Sequence, residues 1–591
     1  MGNEAIALGA IAAGVNLACG YPGTPSTEVL ETVAKRRGEN VYVEWSVNEK
    51  TAMEMAAGAA YAGARALVTM KQMGLNVASD PFMCLSYIGV KGGLVVLVAD
   101  DPGPISSQTE QDSRTFAAFS KAPVFDPSDP QEAYDMIQAA FDFSEQYQTP
   151  VLLRPTTRVS HGYASIRVKD PEEYRVRTPE GFVKDSGRWV IFPRLSYQNH
   201  LKLEKRNADL SRADSPWNLL LPGSGRKGVA SSGISFTYVM EARPEGLPVF
   251  KAGMPFPFPE KQAAEFLSGL DEVLCVEELD PFIERQLIYV CGKYGLKTKI
   301  LGKLTGHIPA AGENTRDGVA DAVAAFLGTP RTAPAPAETP PLPVRPPVLC
   351  AGCPHRASFY AVKQAMKGQK TVFCGDIGCY TLGNAQPLDM VDTCLCMGAG
   401  LGIAQAIRHL EKDRQCFAFV GDSTFFASAI PGVVNAVYNQ AEFTLIVLDN
   451  STTAMTGHQP HPGTGRTAMG QAVDAVSIES VLRGIGVQAV ETVDPLDHAL
   501  AVETVKRVSA LPGVKAVIFK SPCVVLAKPQ GRAKVDADKC VGCKKCIREL
   551  GCPALSFAEG KAAIDAAQCT GCSLCAQICP VSAISGGEAH A

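Results

Sequence analysis

Short apolar runs alternate with longer stretches of helical composition through the first 165 residues. Val41-Tyr-Val-Glu-Trp45 has a strand pattern, and Ala66-Leu-Val-Thr-Met70 is a second short strand. Lys50 to Arg65, rich in Ala, Met and Glu, predicts the helix between them. Gly93-Leu-Val-Val-Leu-Val-Ala99 is apolar on both faces and stops at Asp100-Asp101-Pro102-Gly103, a turn sequence. Strands buried on both faces and separated by helices predict a parallel sheet with helices on either side.

The same alternation returns twice. Residues 166–226 are charged and irregular, as in Asp170-Pro-Glu-Glu-Tyr174 and His200 to Arg212, and read as a connecting arm. Val229-Ala-Ser-Ser-Gly233 and Glu272-Val-Leu-Cys-Val-Glu-Glu278 mark a smaller α/β domain over 227–328. The run 329–347 is so dense in proline that it excludes helix and sheet and predicts an extended spacer. A third α/β domain follows over 348–526, with strands at Cys416–Asp422 and Phe443–Asp449. A small cysteine-rich module, 531–591, closes the sequence. The expected class is multidomain α/β with parallel sheets.

Composition narrows the function classes. The 591 residues suggest about three to five domains, and 46% hydrophobic with 20% charged residues is ordinary for a soluble protein. A net charge of −4 gives no case for nucleic acid. No apolar run reaches a membrane span. No Lys or Arg precedes Lys35, so no secretory signal is expected and the location is read as cytoplasmic. Twenty cysteines then read as metal ligands and buried thiols, not as a disulfide framework.

The cysteines of the last module carry the strongest chemical signal. One run reads Cys540-Val-Gly-Cys543-Lys-Lys-Cys546 and then Cys552-Pro553; the other reads Cys569-Thr-Gly-Cys572-Ser-Leu-Cys575 and then Cys579-Pro580. Three thiolates within seven residues suit three irons of one cubane, and in two-cluster ferredoxins the fourth cysteine serves the other cluster. One set is then Cys540, Cys543, Cys546 and Cys579; the other is Cys569, Cys572, Cys575 and Cys552. Zinc, which favours two pairs of ligands, and disulfides are the alternatives. Five residues precede the last cysteine of the first run against three in the second, which predicts a bulged loop. The module holds all its own ligands, which predicts a piece that folds by itself around its metal.

A second site lies in the third α/β domain. Gly421-Asp422-Ser423 follows one strand, and Asp449-Asn450-Ser451-Thr452 follows another about thirty residues later. Glycine lets backbone approach a diphosphate. Asp422, Asn450 and a carbonyl near Thr452 offer hard oxygens to Mg²⁺, which takes few protein ligands and completes its shell with phosphates and water. Both stretches fall at carboxyl ends of strands, where open α/β sheets bind ligands. A plain turn is the alternative for Gly-Asp-Ser alone.

At these residues the chain resembles the thiamine-dependent 2-oxoacid:ferredoxin oxidoreductases, whose signature is Gly-Asp-Gly followed by Asn. Ser423 stands here for the last glycine. Tyr21-Pro-Gly-Thr-Pro-Ser26 is similar to the family's Tyr-Pro-Ile-Thr-Pro-Ser loop, with Gly23 for Ile. Glu49 falls where the family keeps its cofactor-activating glutamate. Cys350, Cys353, Cys379 and Cys523 match positions that ligate a further cluster near the thiamine; four separate buried thiols are the alternative. Cys374, Cys394, Cys396 and Cys416 read as core cysteines. Domain order and the lengthened first run look like the large, alpha-type subunits of the family's indolepyruvate branch.

The resemblance implies a pyrimidine-binding domain over 1–165, a transketolase C-terminal-like domain over 227–328 and a diphosphate- and Mg²⁺-binding domain over 348–526. It implies thiamine diphosphate, Mg²⁺ and two [4Fe-4S] clusters, with a third if the four scattered cysteines are ligands. The implied reaction is ferredoxin-dependent oxidative decarboxylation of an aryl 2-oxoacid, such as indolepyruvate, to its coenzyme A thioester and CO2. Thr24 would contact the substrate carboxylate; a turn hydroxyl is its alternative. The family's gamma-type domain is missing from this sequence, which implies a smaller beta-type subunit in a heterodimer or a dimer of heterodimers. Another 2-oxoacid specificity, a non-oxidative thiamine decarboxylase and an electron-transfer subunit are the competing readings.

Overall fold

The computed structural model describes residues 1–329, 331, 340–529 and 531–586. The chain divides into two compact units, Met1–Glu338 and Thr339–Ala591. Of the proline-rich run, 330 and 332–339 lie outside the described residues, and 340–347 form neither helix nor strand.

The first unit holds two sheets. The larger has six parallel strands in the order Tyr42–Trp45, Leu17–Gly20, Ala66–Lys71, Leu94–Ala99, Val151–Leu153 and Val124–Phe125. Every residue of Leu94–Ala99 is buried, as its unbroken apolar run requires. The smaller sheet runs Lys299–Leu301, Glu272–Val276, Lys227–Ser231, Val249–Lys251 and Leu219–Leu221, with only the last strand antiparallel to its neighbour. Buried charge joins the two. Arg114 pairs with Asp112 at 2.6 Å and with Glu277, just past the strand Glu272–Val276 of the smaller sheet, at 3.0 Å, while Arg154 pairs with Asp100 at 2.7 Å.

The stretch 166–226 is not irregular throughout. It contains an 18-residue helix, Pro193–Leu210, and the edge strand Leu219–Leu221. The helix starts on a proline, which suits a first-turn position. Only Leu203 of this helix is buried, so no apolar stripe announces it. Polar contacts fix it instead: Asn199 donates to the Tyr87 carbonyl at 2.8 Å, and the Tyr87 hydroxyl meets His200 Nδ1 at 3.0 Å.

The second unit is built on five parallel strands in the order Thr371–Cys374, Gln415–Gly421, Phe443–Asp449, Val514–Lys520 and Ala489–Val493. The C-terminal module adds two small antiparallel pairs, Lys534–Val535 with Ile584–Ser585 and Leu555–Ala558 with Lys561–Ile564. Its short helices Lys545–Leu550 and Leu574–Gln577 each carry the third cysteine of a run, Cys546 and Cys575.

The module is not a free-standing appendage. Leu550, Leu574 and Ile578 belong to the same buried cluster as Tyr360, Val505 and Val508, from the helices Pro354–Ala365 and His498–Ser509. Polar contacts rim that core. The Tyr360 hydroxyl bonds Glu549, and Gln577 both donates to the Leu496 carbonyl at 2.8 Å and accepts from His498 N at 3.0 Å. Removing the module would expose this shared surface, so independent folding of the two pieces is not what the packing favours. Leu550→Ala should destabilise the second unit by about 2–5 kcal/mol, the usual cost of truncating a buried leucine. A chemical-unfolding midpoint equal to that of the parent protein would refute the shared core.

Candidate functional site

In the first unit the candidate residues collect at the carboxyl edge of the larger sheet. Glu49 opens the helix Glu49–Tyr61, whose N-cap Asn48 accepts from Thr51 N at 2.9 Å. The helix dipole favours an anion there, yet Glu49 is buried, and burial pushes its carboxyl up to about 7 against a smaller opposing pull from Lys71. Gly74 makes room for it, since a Cβ at that position would stand 2.6 Å from Glu49 Oε1. Thr24 lies in the loop after Leu17–Gly20, and its carbonyl accepts from the Ser106 hydroxyl at 3.4 Å. Gly23 has a local reason: a Cβ there would come 3.1 Å from Cγ of Lys71.

In the second unit Asp422 follows Gln415–Gly421 and Asn450 follows Phe443–Asp449, on adjacent strands. Asn450 N donates to Asp422 Oδ2 at 3.1 Å, and Ser423 N donates to Asp422 Oδ1 at 2.8 Å. Asn450 Oδ1 accepts from Thr452 N at 3.3 Å, so its amide nitrogen is the group that faces His355 Nε2 at 3.1 Å. Burial lowers the His355 pKa to about 4. The neutral ring therefore accepts at Nε2 and holds Asn450 in one orientation.

Two further groups complete this edge. His461 Nδ1 accepts from Gly463 N at 3.2 Å, leaving Nε2 to carry the proton 3.1 Å from Asp422 Oδ2, close enough to attract but not aligned as a hydrogen bond. Asp376 follows Thr371–Cys374 and accepts from Gly398 N at 2.8 Å and from the Tyr380 hydroxyl at 2.9 Å. Burial pushes its carboxyl up to about 6. Gly421 has that hydroxyl against it, 2.4 Å from where a Cβ would lie. His461 and Asp376 were not singled out from the sequence. Only Gly375-Asp376-Ile377-Gly378, a turn sequence after a strand, signalled one of them.

The scattered cysteines reach the same edge. Cys523 N donates to the Asn450 carbonyl at 2.9 Å, and Cys379 begins the 3₁₀ turn Cys379–Asn384. The Cys350 thiol is an electrostatic neighbour of Cys353, Cys379 and Cys523 alike. Cys374 and Cys416 are buried, as core cysteines should be, but Cys394 and Cys396 are exposed. They stand on the loop before the helix Ala399–Leu410.

In the terminal module the two runs exchange their last cysteines. Cys552 lines one cavity with Cys569, Cys572 and Cys575. Cys546 has Cys543 and Cys579 as thiol neighbours, and also lies near Cys575 of the other run. Burial pushes the Cys575 thiol up to about 12, so without a metal it would stay protonated and inert.

Comparison with known proteins now decides the family. Residues 8–191 match the domain family described as "Pyruvate flavodoxin/ferredoxin oxidoreductase, thiamine diP-bdg". Residues 376–517 match "Thiamine pyrophosphate enzyme, C-terminal TPP binding domain", and 532–580 match "4Fe-4S dicluster domain". The indolepyruvate oxidoreductase subunit IorA of Methanothermobacter thermautotrophicus is 45% identical over 99% of this chain and 96% of its own length. The subunit of the same name from Thermococcus kodakarensis is 40% identical, over 93% of this chain and 91% of its own. The chain belongs to the IorA family. It is an oxidoreductase subunit of the thiamine-dependent 2-oxoacid class, with a 4Fe-4S dicluster domain. A solved 2-oxoglutarate:ferredoxin oxidoreductase from Magnetococcus marinus is far more distant, at 19% identity and a TM-score of 0.42 over 55% of this chain and 64% of that one.

The residues present fit the groups this family uses. Asp422 and Asn450 are hard-oxygen donors, and Asp449 lies so near Asp422 that burial and this neighbouring carboxylate together push its own carboxyl up. A cation between them would relieve that repulsion. Among the described residues no three His, Cys, Asp or Glu converge on a single ion. Cubane ligands need not converge, because each thiolate grips a different iron.

Burial of Glu49 has a thermodynamic signature. Its folded pKa lies above the ordinary 4.5, so the unfolded chain ionises first and stability falls as pH rises from about 4.5 to about 7. Glu49→Gln should therefore stabilise the cofactor-free protein at pH 8, by at most about 3 kcal/mol, and change little at pH 4. Thermal unfolding at the two pH values checks this; equal effects at both would mean that the carboxyl is not held in a desolvated seat.

Proposed function

We propose that this chain, with a smaller subunit carrying the gamma-type domain, oxidatively decarboxylates aryl 2-oxoacids, indolepyruvate foremost. One 2-oxoacid and one coenzyme A thiol give the acyl thioester, CO2, a proton and two electrons. The electrons leave singly through iron–sulfur clusters to ferredoxin. The names of the full-length relatives support the substrate. The observation that carries the redox chemistry is the common core joining the Asp422 and Asn450 edge to the eight-cysteine module. A cytoplasmic location accords with oxygen-sensitive clusters, and among the described residues no helix is long and apolar enough to cross a membrane.

Bound thiamine diphosphate supplies the nucleophilic carbon and the electron sink. The residues do the rest. Asp422 and Asn450 hold the Mg²⁺ that neutralises the diphosphate, with a carbonyl near Thr452 as third oxygen. Gly421 and Ser423 give the phosphates close backbone. Glu49, with a pKa of about 7, is matched to holding and returning a proton at its Oε atoms near neutral pH. Thr24 offers a hydroxyl to the substrate carboxylate. Cys540, Cys543, Cys546 and Cys579 form one cubane site; Cys552, Cys569, Cys572 and Cys575 form the next. Cys350, Cys353, Cys379 and Cys523 form a third beside the Mg²⁺ ligands.

Glu49→Gln should retain thiamine yet lose turnover by ~10²–10⁴-fold, the usual weight of a proton-transfer group. Asp422→Ala should lose Mg²⁺ and thiamine together on dialysis while keeping the terminal clusters. The substrate assignment is tested with the purified two-subunit complex without oxygen. Indolepyruvate plus coenzyme A should bleach the cluster absorbance, with kcat/KM at least roughly tenfold above pyruvate and 2-oxoglutarate. Free aldehyde without bleaching would instead identify a non-oxidative decarboxylase.

A further inference from the structure

Arg356 is a buried cation with four hydrogen bonds, each to a main-chain carbonyl. It is 3% exposed and stands in the first turn of Pro354–Ala365, where the helix dipole disfavours positive charge. A buried guanidinium is ordinarily matched by a carboxylate. Arg356 instead donates to the Leu349 and Cys350 carbonyls on one side and to the Leu550 and Gly551 carbonyls on the other. Carbonyl dipoles orient a cation but do not neutralise it. The first pair belongs to the loop of the scattered cysteine set, and the second pair ends the helix Lys545–Leu550, between Cys546 and Cys552.

The neighbouring thiols show where the missing negative charge belongs. Cys353 caps the helix that carries Arg356, and Cys572 lies in the second cysteine run. These thiols come from different cubane sets, and Arg356 lines one cavity with both. The two loops are pressed together at Gly352, where a Cβ would stand 1.9 Å from the Thr570 hydroxyl. None of Cys540, Cys543, Cys546 and Cys579, the remaining set, lines that cavity.

We propose that Arg356 is the common counter-charge of two iron–sulfur sites, tying the Cys350–Cys353 loop to the turn before Cys552 and making both clusters easier to reduce. This rests on the reading of those cysteines as cubane ligands. A cubane held by four thiolates is net negative and gains a further negative charge on reduction, so a fixed cation favours the reduced form. The same side chain sets the relative position of the two sites, because its planar fork spans carbonyls from both.

The test is an anaerobic redox titration followed by spin resonance, with iron content, on the intact two-subunit complex. Parent protein, Arg356→Gln and Arg356→Lys are compared. Arg356→Gln should lower two of the three midpoint potentials and leave the third, from the Cys540 set, unmoved. Arg356→Lys should restore most of that shift. Full iron with all midpoints unchanged, or an equal shift of all three, would overturn the proposal. If Arg356→Gln loses iron, the lysine variant decides: retained iron with near-parental potentials supports the counter-charge, and equal loss in both variants overturns it. Parental protein with iron for only two cubanes would sink the cysteine reading itself, before any substitution is considered, and this proposal with it.

Discussion

Leu550, Leu574 and Ile578 leave water by packing on the helices Pro354–Ala365 and His498–Ser509, and much else in the second unit follows from that burial. The first of those helices is capped by Cys353, so seating the module on it also fixes the Cys350–Cys353 loop. The module's own loops are fixed in the same event. Gly352 lies against Thr570, and Gly551 lies where a Cβ would be 2.4 Å from Pro387. Electron transfer between sites depends steeply on their separation. A chain that held its cysteines on separately tethered pieces would have no constant separation; a shared apolar core supplies one.

Buried charge is handled in two ways in this protein. In the first unit Arg114 and Arg154 are matched by carboxylates from both sheets, and the charges serve as internal ties. At the sheet edges the balance is left open. Glu49 is desolvated without an ion-pair partner among the described residues, and Asp422 and Asp449 crowd each other beside Asn450. Open balances of this kind are what the proposed proton and cation roles at these two edges call for. Arg356 is the mirror image, a cation awaiting anions.

Much of this was legible in the sequence where one residue type has one physical use. The strands Leu94–Ala99 and Phe443–Asp449 stand where their runs put them, because short apolar runs rich in Val, Leu and Ile favour a strand buried on both faces. Cysteine spacing reported the metal chemistry directly. The helix Pro193–Leu210 was not legible, because it buries one leucine and is held by side-chain-to-backbone contacts that leave no periodicity. His461 and Asp376 were missed for another reason. Each acquires its place through a partner distant in sequence, Asp422 for the first and Gly398 for the second. The docking of the module was hidden too, since Leu550 and Leu574 look like any leucines in a small domain.

The central claim is that one folded unit carries a continuous line of metal sites from the thiamine edge outward. Iron anomalous scattering from crystals of the two-subunit complex, grown without oxygen, tests it most directly. The account predicts three iron centres. One lies among Cys350, Cys353, Cys379 and Cys523; the next is ligated by Cys552 together with Cys569, Cys572 and Cys575; the last is held by the Cys540 set. The middle centre should be the nearer of the two terminal-module centres to the Cys350–Cys353 loop. Iron confined to the terminal module, or Cys552 ligating the same centre as Cys540, would contradict it.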